Sequence, residues 1–425
     1  LARLVHALAA LAVAILCHLI WASVTRAAEF KVNSIGDQPD AAVGSEGCKT
    51  PLGTCTLRAA IEESNISGEG NIIKFEFPPF NGQLAGTIEL SSSLPTITRR
   101  VRVEGSPTPY QCETAYYALR GPCTGVDGPP GGTAFRVSAD GVDLIGFAIS
   151  GAKTGVEAVG GPGLSMWNDW LGLKLDGSPG PVGTGVLLDQ GSNRATIGGI
   201  SSDARNIFAN DTGAGVNIDG ADATQVLGDG FGVMPDGASP APNGTNIEVG
   251  DALSGENRTA RANWIGWRPE KEELASPICD GGCNVIAAAE NAGVDLAGNE
   301  VDEGPATGST RIFGNYIGLD AFGTPLPNAQ QGVLVGSAIG TTIGGPVPGD
   351  RNVIDGGVDG VLAGPNGGEL TVEGNLIGLN QAGMSTLEPP TEAGVAVEGG
   401  SDVDIFEINC RCSLAPRSKR RHTNL

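Results

Sequence analysis

The chain has 425 residues, 67 of them Gly, with only 11 Phe, 5 Trp and 4 Tyr. That composition excludes a large core of bulky side chains and favours many short strands joined by tight corners. The formal charge is -22, and an acidic body of this kind disfavours nucleic acid and anionic lipid, and meets a polyanionic sugar only through a bridging divalent cation.

The first 27 residues carry Arg3 and His6 ahead of an apolar run from Ala7 to Trp21, and Thr25-Arg26-Ala27 ends on small residues. This is the pattern of an export signal, too short and too lightly flanked for an integral membrane span. It predicts a secreted or cell-surface, extracellular protein. Eight later cysteines fall in close pairs: Cys48 and Cys55, Cys112 and Cys123, Cys279 and Cys283, Cys410 and Cys412. Behind an export signal they read as locally closed disulfides, the last pair strained by its single intervening residue. Zinc is the weaker reading, since no His occurs between His18 and His422.

Residues 28–134 are expected to form an N-terminal cap and first strands. Phe30-Lys-Val32 suits a short strand. From Cys55 to Asn65, Leu57, Ala60, Ile61 and Ser64 recur at helical spacing, with Gly68 placed to stop the helix. Ile72–Phe77, Thr87–Leu90 and Val101–Gly105 alternate as half-buried strands do, and Leu94-Pro95-Thr-Ile97 supplies a corner. The stretch Pro107–Gly132 is polar and turn-rich, an insertion stapled by Cys112 and Cys123.

The run Cys55-Thr-Leu-Arg-Ala-Ala-Ile resembles the bacterial exported proteins named for a Cys-Ser-Leu-Arg-Glu-Ala (CSLREA) motif. It departs at Thr56 for Ser and at Ala59 for Glu, which removes the motif's acid. The resemblance implies a repeat-rich extracellular protein.

Repeats fill 135–407. A Gly-Val-x-apolar unit occurs at Gly141, Gly155, Gly185, Gly215, Gly293, Gly332, Gly360 and Gly394. In each, Val and the residue two later share a side of a strand, and Gly turns the chain just before it. Asn206-Ile-Phe, Asn284-Val-Ile and Asn352-Val-Ile stand shortly before three of these units, and Thr196-Ile-Gly-Gly and Thr342-Ile-Gly-Gly shortly before Asn206 and Asn352. Asn315-Tyr-Ile-Gly and Asn375-Leu-Ile-Gly are further copies, with Asn263-Trp-Ile-Gly a looser one. A strand this short cannot bury its apolar pair alone, so like strands must stack. The spacing predicts coils of roughly 20 residues, about a dozen from Phe135 to Ile405, with Gly and Asn at the corners. Val233–Arg261 and Glu270–Cys283 break the rhythm and are expected to project. The basic segment 408–425 carries no repeat landmark and reads as a disordered tail.

These repeats also resemble exported parallel β-helix proteins, through Asn315–Gly323 and Thr342–Gly345. That likeness implies an all-β, right-handed parallel β-helix of the pectin-lyase-like type with a short N-terminal capping helix.

No His lies between residues 28 and 407, which removes a His base, a Ser-His-Asp triad and the Gly-His-Gly element of pectin-hydrolysing β-helices. Paired carboxylates could serve hydrolysis, and Asp169, Asp176, Asp320, Asp350, Asp355 and Asp359 all lie near repeat corners. Their abundance speaks for turn-making in each. Arg205 and Arg351 recur beside Asn206 and Asn352, again as repeat positions. Asp295–Glu303 and Asp350–Asp359 cluster acids on Gly-rich loops that suit calcium, as an optional ligand. No residue is singled out as catalytic or cofactor-binding. The leading expectation is a structural or adhesive surface protein with a glycan or cell-surface partner; the alternative is a polysaccharide lyase or glycoside hydrolase. Any unique chemistry is expected in the insertions.

Overall fold

A computed structural model describes residues 27–425 apart from 45–46, 77–85, 106–120, 251–259, 268–278, 280, 297–306, 337, 366–367, 381, 385–388, 399–402, 407–408, 411–413, 417–421 and 424–425. The expected export signal and Cys112 therefore lie outside the described residues, apart from Ala27.

Three long parallel sheets of 13, 11 and 10 strands run the length of the chain. We call them A, B and C. The chain visits them in that order and steps to the next rung on each pass, so the fold is a parallel β-helix. At ~4.8 Å per rung, the 13 strands of sheet A span about 58 Å.

Each sheet owns one of the repeat units. Thr196–Gly198 and Thr342–Gly344 are sheet A strands. Val285–Ile286, Tyr316–Ile317, Val353–Ile354 and Leu376–Ile377, each preceded by its Asn, are sheet B strands. The Gly-Val-x-apolar units are sheet C. Val156 pairs with Val186 and Val186 with Val216, so one coil takes 30 residues where about 20 were expected. The shortfall arises because the 60 residues from Asn315 to Asn375 hold two coils, where the expected length needs three, with Val353 pairing between them.

Inward residues form continuous apolar columns. In sheet A, Met166, Ile197, Val226, Ile265, Ile312 and Ile343 are in register and fully buried. In sheet B, Phe208 stacks on Phe231 with centroids 4.7 Å apart. The sheet C glycines answer a demand other than turning. All but Gly293 lie inside strands, and a Cβ on Gly215 would sit 2.8 Å from the Asn246 carbonyl and 3.1 Å from both Phe208 and Phe231. The strand passes too close to the facing sheet to carry a side chain there. Gly141, by contrast, has φ +65° and leads into Asp143–Ile145, a sheet A strand, so that copy belongs to another face. Asn263-Trp-Ile-Gly is likewise sheet A and no copy of the sheet B units.

Strand pairing is continuous across residues 134 and 135. Val101–Glu104 pairs with Asp143–Ile145, and Thr124–Asp127 with Phe147–Ser150. The latter half of the Pro107–Gly132 stretch is thus core, with Cys123 and Val126 fully buried. Ile97, the expected corner, bridges Val137 of sheet C. The first coils cap themselves with helix α1 (Leu57–Ile66), whose Leu57, Ala60 and Ile61 join the core. Thr56 caps it by accepting from the Ala59 amide. Arg58 of the CSLREA-like run binds Asp37 at 2.8 Å and the Ser92 and Ser93 carbonyls, tying two loops to the helix.

Two further expectations give way. Val233–Arg261 contains a regular sheet C strand, Thr245–Val249, so it does not project as a whole. The 408–425 segment supplies Asn409–Cys410, Leu414–Pro416 and His422–Thr423, one strand to each sheet. Parallel pairing is made by backbone groups, which its basic composition does not prevent. Cys48 is bonded to Cys55 and Cys279 to Cys283, closing two short loops; Cys123 is also disulfide-bonded.

Candidate functional site

Sheet B offers no free outer face over its middle coils. After several sheet B strands the chain makes a small hairpin, marked by the antiparallel bridges Leu173 to Pro179, Val233 to Pro240 and Leu319 to Pro325. An Asp at each tip folds it: Asp176 accepts from the Ser178 amide, Asp236 from those of Ala238 and Ser239, and Asp320 from those of Phe322 and Thr324. The hairpins lie over outward sheet B residues such as Trp170, Ile207, Val285 and Tyr316, all buried. The outer faces of sheets A and C remain.

On sheet A, one outward column carries Ser165, Thr196, Gln225, Trp264, Arg311, Thr342 and Thr371 in successive rungs. Trp264 is 42% exposed, and Arg311, its register partner, is exposed as well. Phe313 supports the indole edge-on at 5.9 Å. At ~4.8 Å per rung these seven residues extend about 29 Å. An aromatic plane flanked by hydroxyl, amide and guanidinium groups offers both apolar contact and directed hydrogen bonds.

On sheet C, the outward column runs Glu157, Leu187, Asn217, Glu248, Asp295 and Leu334. Glu248 and Asp295 are direct neighbours. Asn217 Nδ2 donates to Glu248 Oε2 at 3.3 Å. Burial pushes Asp295 up to about 6. Two adjacent acids, one of them raised by burial, offer the pair of groups that proton transfer with a nucleophile or base requires.

Both patches belong to the same two coils. Among the described strands, the connections from sheet C to sheet A lengthen at two consecutive places, between Val249 and Trp264 and between Leu296 and Arg311. Glu248 and Asp295 stand just before them, Trp264 and Arg311 just after. Elsewhere the same connection is short, as from Leu188 to Thr196.

The nominated residues divide differently. Asp169 is fully buried in a corner column; Asp350 ends a short 3-10 turn, Asp355 follows a sheet B strand and Asp359 opens a sheet C strand, all three buried. Asp176 and Asp320 shape turns. Arg205 holds the Gly228 and Cys279 carbonyls from its guanidinium, a structural role. Among the described residues, no three of His, Cys, Asp and Glu converge as a metal would need; Glu300, Asp302 and Glu303 of the expected calcium segment lie outside them. Of that segment Asp295 alone is placed, beside Glu248, which the sequence reading left in a projecting excursion. Broken rhythm after both strands was the signal available.

No family model matches the chain, and no curated protein does. Among solved structures, ORF18 of Geobacillus virus E2 is similar at 12% identity and TM-score 0.34, covering 86% of this chain, which spans 60% of that one. A PL6 alginate lyase in complex with a trisaccharide is similar at 10% identity and TM-score 0.38, covering 90% of this chain and 86% of its own. The catalytic domain of a GH87 alpha-1,3-glucanase in complex with nigerose gives 11% identity and TM-score 0.23, with 89% of this chain and 66% of that one covered.

Proposed function

We propose that the protein is a secreted or cell-surface β-helix that binds polysaccharide along the outer face of sheet A, centred on Trp264 and Arg311. The observation that carries this reading is the outward column in which an exposed indole sits between Gln225 and Arg311, with Thr and Ser on the rungs beyond. A repeating sugar chain presents ring faces and hydroxyls at regular intervals, and a solenoid presents complementary groups at regular rungs. Affinity electrophoresis of the full chain through gels containing a panel of polysaccharides tests it. At least one should retard the protein, and Trp264→Ala should weaken that retention at least about tenfold in Kd. Free migration through every gel, or retention indifferent to Trp264, would count against the reading.

A second reading, hydrolysis of the bound chain, is favoured by Glu248 beside Asp295. Asp295 would protonate the leaving oxygen while Glu248 acts as nucleophile or base. New reducing ends should then appear with the wild type and fall by about 10²–10⁴-fold with Glu248→Gln or Asp295→Asn, retention in the gel being kept. Unsaturated ends would instead indicate elimination, and no products at all would leave a binding protein.

A further inference from the structure

At the corner between sheets A and B, one residue per coil closes the backbone by the same pattern. The residues are Asp169, Asn206, Asp229, Asn284, Asn315, Asn352 and Asn375, all essentially buried. In Asp169, Asn206, Asp229 and Asn284 the Oδ1 accepts an amide of the preceding coil: Phe147 N donates to Asp169, Asp169 N to Asn206, Asn206 N to Asp229, and Asp229 N to Asn284, at 2.8 to 2.9 Å. The other side-chain atom separates the two residue types. In every Asn it is a donor, directed at a sheet A carbonyl of the coil before: Asn206 Nδ2 to Met166 O at 3.1 Å, Asn284 Nδ2 to Val226 O at 2.9 Å, Asn352 Nδ2 to Ile312 O at 2.8 Å. Asn284, Asn315 and Asn352 also donate along the column, each to the Oδ1 of the next, ending on Asn375, at 2.9 Å.

Asp169 and Asp229 put an oxygen in that donor position. Register makes the Leu144 carbonyl the equivalent acceptor for Asp169 and the Ile197 carbonyl that for Asp229. Both Oδ2 atoms are buried without a hydrogen-bond partner. An ionised carboxylate would set lone pairs against a carbonyl in a site shut off from water, whereas a protonated one donates where Asn donates. We propose that Asp169 and Asp229 stand in this column as neutral carboxylic acids, a pair of proton clasps that stiffen the coils in acid and loosen as the pH rises.

The charged surroundings agree. Asp169 meets the Gly146 and Phe147 amides, which favour ionisation, and Asp229, which opposes it; burial outweighs the amides and raises Asp169 well above the usual carboxylate range. Asp229 meets Asn206 and the Arg205 guanidinium, both favouring ionisation, and burial again raises it well above that range. An acid kept neutral in the fold but free to ionise in the unfolded chain stabilises fully below the ordinary aspartate value, near 3.9. That stabilisation is lost as pH climbs toward the raised value. In that window each such acid makes the unfolding equilibrium constant rise about tenfold per pH unit.

Denaturant unfolding of the full chain from about pH 4.5 to about pH 8 reads the effect. The double change Asp169→Asn with Asp229→Asn should raise the midpoint at pH 8 and remove up to about a hundredfold per pH unit from the slope. Infrared spectra of protein carrying ¹³C-aspartate give a second reading on the folded wild type. A protonated-carboxyl band should persist at pH 7 and shrink with each single substitution. An unchanged slope, a double variant weaker than wild type at pH 8, or the lack of that band in the wild type would each overturn the proposal.

Discussion

Asp295 is the residue whose protonation matters most for what the site can do. Burial raises it to about 6, so below that value it holds a proton to give and above it the donor form is lost. If hydrolysis occurs, the rate should be highest in mild acid and fall about tenfold per pH unit above about 6. Asp295→Asn should abolish the alkaline limb together with the activity. A rate that climbs through pH 6 to 8 would instead place the proton donor elsewhere. Asp176, Asp236 and Asp320 look similar in sequence, yet each is occupied by amides of its own turn. Nothing local in the sequence tells a turn Asp from one facing a neighbouring acid. The difference lies in a pairing between residues 47 positions apart, Glu248 with Asp295.

At the scale of elements, the strands of sheet C were legible because their alternation is uninterrupted and their Gly recurs. The reason for the Gly was not, since its crowding comes from Phe208 and Phe231 on the facing sheet. Gly215→Ala should therefore destabilise by about 1–3 kcal/mol through overpacking, as read by denaturant unfolding. An effect within about 0.5 kcal/mol would mean that the strand can shift outward at no cost. Coil length was less legible. The 60 residues between Asn315 and Asn375 hold two coils, with Val353 pairing in the coil between, and the uneven spacing of the Asn at 315, 352 and 375 hides that period. Asn263 shows the limit of motif reading: its tetrapeptide matches Asn315-Tyr-Ile-Gly, but its strand pairs with Gln225 and Arg311 on sheet A.

For the molecule as a whole, the three sheets divide the labour. Sheet B is sealed outside by its hairpins, and sheets A and C expose columns that change character rung by rung. The sequence carried the stacking through its spacing, but which of the three faces stays open depends on how the Asp-tipped turns fold back, and that is tertiary. Both patches fall on the two coils where the connections from C to A lengthen, so ligand contact should be confined there. Hydrogen–deuterium exchange of the full chain with and without a retained polysaccharide tests this most directly. Protection is expected over the strands Ala260–Arg261, Trp264–Ile265 and Arg311–Ile312, with Thr245–Val249 and Val294–Leu296 joining them if the chain also reaches the acid pair. Protection centred on the sheet B hairpins, or spread evenly along all coils, would contradict a localised polysaccharide site on this β-helix.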